Sequence, residues 1–311
     1  MSCARRRLWG TLFLAATVTA PTMKVEAEPA SPTPTVSTTV QHHAAPKSGR
    51  RAVRRHRRGP PGGVVYARSA ILLDPFTGQV LYEKNSGDAA PIASLTKLMT
   101  DLVFLEQKPD LSRSVEVTTA ELSGAGRTKL RNHEMVRLED LLHMSLMCSD
   151  NVATRVLVRE SGLPPQEFLA AMNRKAMELE LGGTHFVEFT GLDQRNVSTA
   201  ADIARLLRVV AENPTFQAIS TTRSYDFRSA SRAHHVVNTN RLLYGKRYEI
   251  LGGKTGFINE AGYCVATWVR AQGHDLIAVV LGAPTNATRF ADVVRLVQRT
   301  ITPGLVSTRS S

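Results

Sequence analysis

Cysteine is scarce in this chain, three residues in 311, and aromatic side chains make up only 6%. The nine histidines show no ligand spacing with acidic residues or cysteines, so no metal site and no cofactor are expected. No internal repeat is present. The apolar run from Leu8 to Ala20 is too short for a permanent membrane anchor, which needs about 20 residues. A basic surface is also missing from most of the chain. Of the net charge of +12, +9 falls in residues 1–63, leaving +3 for residues 64–311. A pI near 10.0 is therefore a property of one arm and gives no reason to expect a nucleic-acid partner. What the chain does have is length for one large or two small domains, with hydrophobic content of 42%, ample for a core.

Residues 1–27 read as a secretory signal. Arg5-Arg6-Arg7 form a cationic start, the apolar run follows, and Val25-Glu26-Ala27 supplies a small-x-small cleavage site; Val18-Thr19-Ala20 is a second candidate. The protein is expected to be exported, on the periplasmic or cell-wall side of the cytoplasmic membrane. Residues 28–63 are rich in Pro, Thr, Ser, Ala and Gly and cannot support a core. Their cationic block Arg50–Arg58 suits anionic lipid headgroups or anionic wall polymers, and reads equally as a solvated tail without a fixed partner. Cys3 leaves with the signal. Cys148 and Cys264 are expected as buried free thiols, although an exported protein could oxidise them to a disulfide.

The folded region begins near Val64. Val65–Leu72 and Gln79–Glu83 read as two strands joined by Asp74-Pro75-Phe76-Thr77-Gly78. Helices are expected from Ser94, over Leu138–Leu146, Pro165–Leu179 and Thr199–Ala211, and over Arg289–Arg299. Strands are expected at Glu249–Lys254, Gly262–Val269 and Leu276–Leu281. Strands at both ends of a helical middle imply one discontinuous α/β unit whose sheet is completed by the two chain ends.

Three short motifs carry chemistry. In Ser94-Leu95-Thr96-Lys97 the i, i+3 spacing of a helical turn brings a hydroxyl to an amine. The serine is a poor nucleophile alone, and the lysine can act as its base if burial lowers its pKa. In Ser149-Asp150-Asn151, on a loop leaving a helix, the hydroxyl can relay a proton and the amide can grip a peptide group. In Lys254-Thr255-Gly256 strand alternation puts Lys254 and Gly256 on one face, with the glycine admitting substrate backbone. Lysine supplies a positive charge and threonine a hydroxyl for a carboxylate. Any one of these reads equally as a turn or a strand end. Together they occur once each, in this order, 55 and 105 positions apart. The trio is the signature of penicillin-binding proteins and class A β-lactamases.

Over Val64 to Thr302 the chain resembles the low-molecular-mass penicillin-binding proteins, the serine D-Ala-D-Ala peptidases. The resemblance is carried by Pro91–Thr100, Leu141–Asn151, Phe186–Asp193 and Gly252–Gly262. Phe186-Val187-Glu188, Asn196–Ala200, Asn238-Thr239-Asn240 and Lys254–Gly262 look most like the DD-endopeptidase (penicillin-binding protein 7) branch. Phe189 departs from the proline expected before Thr-Gly-Leu. Only Pro303–Ser311 follow the last helix, so the C-terminal β-domain and anchoring helix common among the carboxypeptidases are not expected.

The resemblance implies an α/β (α+β) fold of the β-lactamase/DD-transpeptidase type, an antiparallel sheet flanked by helices with an all-helical subdomain. It implies peptidoglycan stem peptides as substrates and β-lactams as acylating inhibitors. Ser94 would be the acyl-ester nucleophile, Lys97 its proton acceptor and Ser149 the proton relay. Asn151 would bind substrate peptide, Lys254 would hold Ser149 and the substrate anion, and Thr255 would touch the same carboxylate beside Gly256. The backbone N–H groups of Ser94 and Phe257 would form the oxyanion hole. Two other readings stand beside this one. A class A β-lactamase needs a glutamate in Glu-x-x-Leu-Asn, and Glu188-Phe189-Thr190-Gly191-Leu192-Asp193 is out of register and lacks the asparagine. A wall-binding protein with a dead site is the other.

Overall fold

The structure, a computed structural model, describes residues 63–301. The expected signal, nearly all of the linker and the tail lie outside the described residues. In chain order the elements are β1 (Ser69–Leu73), β2 (Val80–Lys84), β3 (Ala90–Pro91), a 3-10 turn (Ala93–Thr96), α1 (Lys97–Glu106), β4 (Ser114–Glu116), α2 (Thr119–Leu122), β5 (Met135–Arg137), α3 (Leu138–His143), a π turn (Met144–Cys148) and α4 (Asn151–Arg159). They continue with α5 (Pro165–Glu178), β6 (Val197–Ser198), α6 (Ala200–Val210), α7 (Pro214–Thr221), β7 (Ser224–Arg228), β8 (Ala233–Val237), a 3-10 turn (Arg241–Tyr244), β9 (Glu249–Ile258), β10 (Gly262–Ala271), β11 (His274–Ala283) and α8 (Asn286–Ile301).

Five strands form one antiparallel sheet in the order β2-β1-β11-β10-β9. The early strand β1 pairs with the late strand β11, so the two ends of the chain do complete the sheet. Period-2 alternation divides β11 between two cores: Ile277, Val279 and Leu281 face one, Leu276, Ala278 and Val280 the other. Both faces are covered, α6 packing on one and α8 on the other, which is why β11 reads as a nearly unbroken apolar run. Asp292 of α8 ties the chain start in place, accepting hydrogen bonds from the Tyr66 and Ala67 amides at 3.0 and 2.8 Å.

The larger core continues from the α6 face of the sheet into a helical region of α1, α3, α4 and α5. Here the structure adds elements the sequence did not suggest. The helix α4 follows Asp150 directly, α7 occupies 214–221, and β7 and β8 form a hairpin. The closing helix begins at Asn286, three residues earlier than expected.

Candidate active site

The three motifs meet where α1, the end of the π turn and the edge strand β9 converge. Ser94 lies in the 3-10 turn ahead of α1 and not in α1 itself. Such a turn has three residues per revolution, so Ser94 and Lys97 still stand one above the other. Ala93 is held at φ +49, a conformation disfavoured for alanine, and two glycines clamp the turn around it. At Gly191, φ +84, a Cβ would overlap the Ala93 carbonyl. At Gly256 it would lie 2.9 Å from the Ile92 carbonyl oxygen and 3.0 Å from the Ser94 nitrogen. Gly256 is therefore needed for β9 to reach the serine turn, a role beyond the one expected of it.

Lys97 is fully buried. Its Nζ lies 3.2 Å from Ser94 Oγ, 2.7 Å from Asn151 Oδ1 and 2.6 Å from the Thr190 carbonyl oxygen. Burial lowers its pKa to about 8, the attraction of Glu188 and Asp101 only partly opposing that. The three contacts then have a chemical meaning. Neither the amide oxygen nor the carbonyl can donate, so a neutral amine must give them its two N–H bonds. Its lone pair is left pointing at the Ser94 hydroxyl.

Ser149 ends the π turn in the left-handed region, φ +64, and its buried Oγ makes no hydrogen bond to protein. Asp150 points the other way and caps α4 through the Val152 and Ala153 amides at 2.9 and 3.0 Å. Asn151 is more committed than expected. Besides accepting from Lys97, its Nδ2 donates to the Ala125 carbonyl at 2.8 Å. Its first task here is to orient Lys97, and only one amide hydrogen remains for a substrate peptide.

On β9, Lys254 is buried and donates to the Thr255 carbonyl at 3.0 Å. Burial holds its pKa well below the ordinary lysine value, and the nearby Lys97 charge lowers it further. Thr255 and Thr239 share a hydroxyl hydrogen bond of 2.6 Å. Ser94, Ser149, Asn151, Thr255, Gly256 and Phe257 line one cleft of about 240 Å³, completed by Leu192, Thr239 and Arg289. A larger cavity of about 480 Å³ between β1 and α6 carries none of the motif residues.

Arg289 and Thr190 were missed by sequence reasoning. Arg289 spans the back of the cleft, donating to the Gly256 and Cys264 carbonyls at 3.0 and 3.1 Å, with Nε unpartnered. A cation at the start of an expected helix gave no sign of this. Thr190 acts through its backbone, which leaves no trace in residue type. Asp101 is a third, visible in hindsight as a carboxylate inside the apolar run Leu98–Val103.

Glu188 is fully occupied. One oxygen accepts from the Thr190 amide and hydroxyl at 2.7 and 2.6 Å, the other from Gly191 N and Asn196 Nδ2 at 2.5 and 2.7 Å. A carboxylate so engaged braces the loop and is not free to activate water. Cys148 and Cys264 are free thiols, their pKa values pushed up to about 11 by burial. His234 is buried against Glu134 at 2.6 Å, and His235 is exposed beside Asp226. Among the described residues no group of three or more His, Cys, Asp or Glu side chains could hold a metal ion.

Comparison with known proteins places this geometry in context. The family model described as D-alanyl-D-alanine carboxypeptidase, peptidase S11, matches residues 56–285. The D-alanyl-D-alanine endopeptidase of Pseudomonas aeruginosa is 37% identical over 73% of this chain and 75% of its own. The Escherichia coli protein of the same name is 36% identical over 73% and 75%. Among solved structures, the Streptomyces K15 DD-transpeptidase superposes with a TM-score of 0.71 at 26% identity, covering 75% of this chain and 96% of the other.

Proposed function

This chain belongs to the S11 peptidases, the D-alanyl-D-alanine carboxypeptidase family, and is a serine-type D-Ala-D-Ala peptidase; we propose that it cleaves D-alanyl bonds of peptidoglycan stem peptides through an acyl-enzyme on Ser94. The observation that carries this reading is the environment of Lys97, a buried amine with a lowered pKa whose Nζ lies 3.2 Å from the Ser94 hydroxyl. Neutral Lys97 takes the hydroxyl proton as Ser94 Oγ attacks the carbonyl of the penultimate D-alanine. The backbone N–H groups of Ser94 and Phe257 hold the developing oxyanion, a contribution of a few kcal/mol. Ser149 passes the proton on to the departing amine, and the C–N bond breaks. Water then hydrolyses the ester. Lys254, Thr255 and Arg289 hold the carboxylate next to the leaving nitrogen, and Asn151 holds Lys97. A β-lactam, mimicking the D-Ala-D-Ala amide, acylates Ser94 and leaves slowly.

Cross-link cleavage, rather than trimming of the terminal D-alanine, is the preferred reading within this class. It is supported by the endopeptidase name of the relatives at 36–37% identity, against 33% or less for the carboxypeptidases compared. Both substrates place a carboxylate beside the leaving nitrogen, so the site's cations serve either. Residues 64–302 form the catalytic unit, residues 1–27 direct export to the periplasm or cell-wall side, and Arg50–Arg58 hold anionic lipid or wall polymer. The test incubates the protein and its Ser94→Ala variant with a pentapeptide muropeptide and a cross-linked dimer, and weighs the products. Dimer turning to monomers supports endopeptidase action. Loss of one D-alanine from the monomer alone makes it a carboxypeptidase, and equal turnover by Ser94→Ala overturns the mechanism.

A further inference from the structure

Behind the cleft lies a third fully buried ionisable group. Asp101 sits one helical turn after Lys97 on the same face of α1 and has no solvent exposure. Its carboxylate accepts hydrogen bonds from Ser145 Oγ at 3.1 and 3.2 Å, and among the described residues it has no other donor. Ser145 is fixed in turn by Thr154 Oγ1 at 2.9 Å, and Thr154 by the Asp150 carbonyl at 2.8 Å. The residue is thus pinned from the π turn and α4, within the electrostatic reach of both site lysines. A buried carboxylate with one hydroxyl for a partner is costly, and its best use is to offset a buried cation.

We propose that Asp101 is a positioning residue for the reaction, the buried counter-charge that Lys97 and Lys254 share from behind the cleft. This rests on the roles given above to the two lysines. Glu188, Asp150 and Cys148 also act on Lys97, and Lys97, Cys148 and Arg289 act on Lys254. Glu188 pulls on Lys97 more strongly than Asp101 and Asp150 less, and both thiols are held neutral. Asp101 is the carboxylate that acts on both lysines. Burial raises its own pKa to about 7, so it is ionised in the range where Lys97 loses its proton.

Removing the negative charge lowers the pKa of each lysine. Lys97 then becomes a free base at lower pH, and Lys254 loses its charge at lower pH. Both limbs of the pH profile for acylation should move the same way, by about one pH unit toward acid. The experiment measures acylation by a fluorescent penicillin against pH for the full-length protein, Asp101→Asn and Ser145→Ala. The serine variant removes the bond that favours the charged carboxylate, so it should shift the acid limb in the same direction by less, and it serves if Asp101→Asn does not fold. Joint acid shifts support the proposal. Unmoved midpoints with only a lower plateau, or an alkaline shift, overturn it. Failure of the wild-type protein to acylate at any pH would instead overturn the role of Ser94.

Discussion

Lys97 concentrates the chemistry because burial and hydrogen-bond geometry act on one atom. With a pKa near 8, the fraction of free base falls about tenfold for each pH unit below that value. Acylation should therefore rise with pH up to about 8 and then level. Stopped-flow acylation across this range measures it; a rate already flat from pH 6 would mean that Lys97 is not the base. Lys97→Met should lower the acylation rate by roughly 10² to 10⁴-fold, the usual worth of a positioned base. The serine and lysine were legible in the sequence because their spacing puts them together in either a 3-10 or an α turn. Thr190 and Asn151, which aim the lone pair, were not. One acts through a carbonyl, and the other looked free to bind substrate until Ala125 and Lys97 took its amide.

Among the elements, the segment from Glu188 to Asn196 is the brace that holds the Thr190 carbonyl against Lys97. Glu188 gathers four donors within it, and Asn196 returns to the Val187 amide at 2.7 Å. Glu188→Gln replaces an acceptor oxygen with a donor and leaves amides unpaired, at a cost of about 1–3 kcal/mol. The urea midpoint should fall, and acylation should fall with it as the Thr190 carbonyl drifts from Lys97. A variant destabilised but acylated at the wild-type rate would separate the brace from the base. The fold elements themselves were unevenly legible. The three long strands and the helices α5 and α6 announced themselves by apolar runs and, for α5, by the proline at its start, Pro165. Helix α4 did not, because Asn151–Arg159 is rich in β-branched residues and its cap is the middle residue of a catalytic motif. The β7–β8 hairpin has one face exposed and few apolar positions to mark it.

For the whole molecule, the pairing of β1 with β11 closes the sheet and sets β9 at its edge, where its glycine can approach the serine turn. The cationic arm precedes this unit, so its removal should leave chemistry untouched. A truncation lacking residues 28–62 should acylate normally yet bind anionic vesicles or wall polymer less, with the deficit vanishing at high salt. Equal binding by both forms would assign the arm no such role. Everything proposed for this site depends on Ser94 being the covalent nucleophile. Intact-mass measurement after incubation with benzylpenicillin, followed by peptide mapping, tests it most directly. One adduct per chain is expected, on the peptide carrying Ser94 and lost in Ser94→Ala. An adduct on another residue, or none, would contradict it.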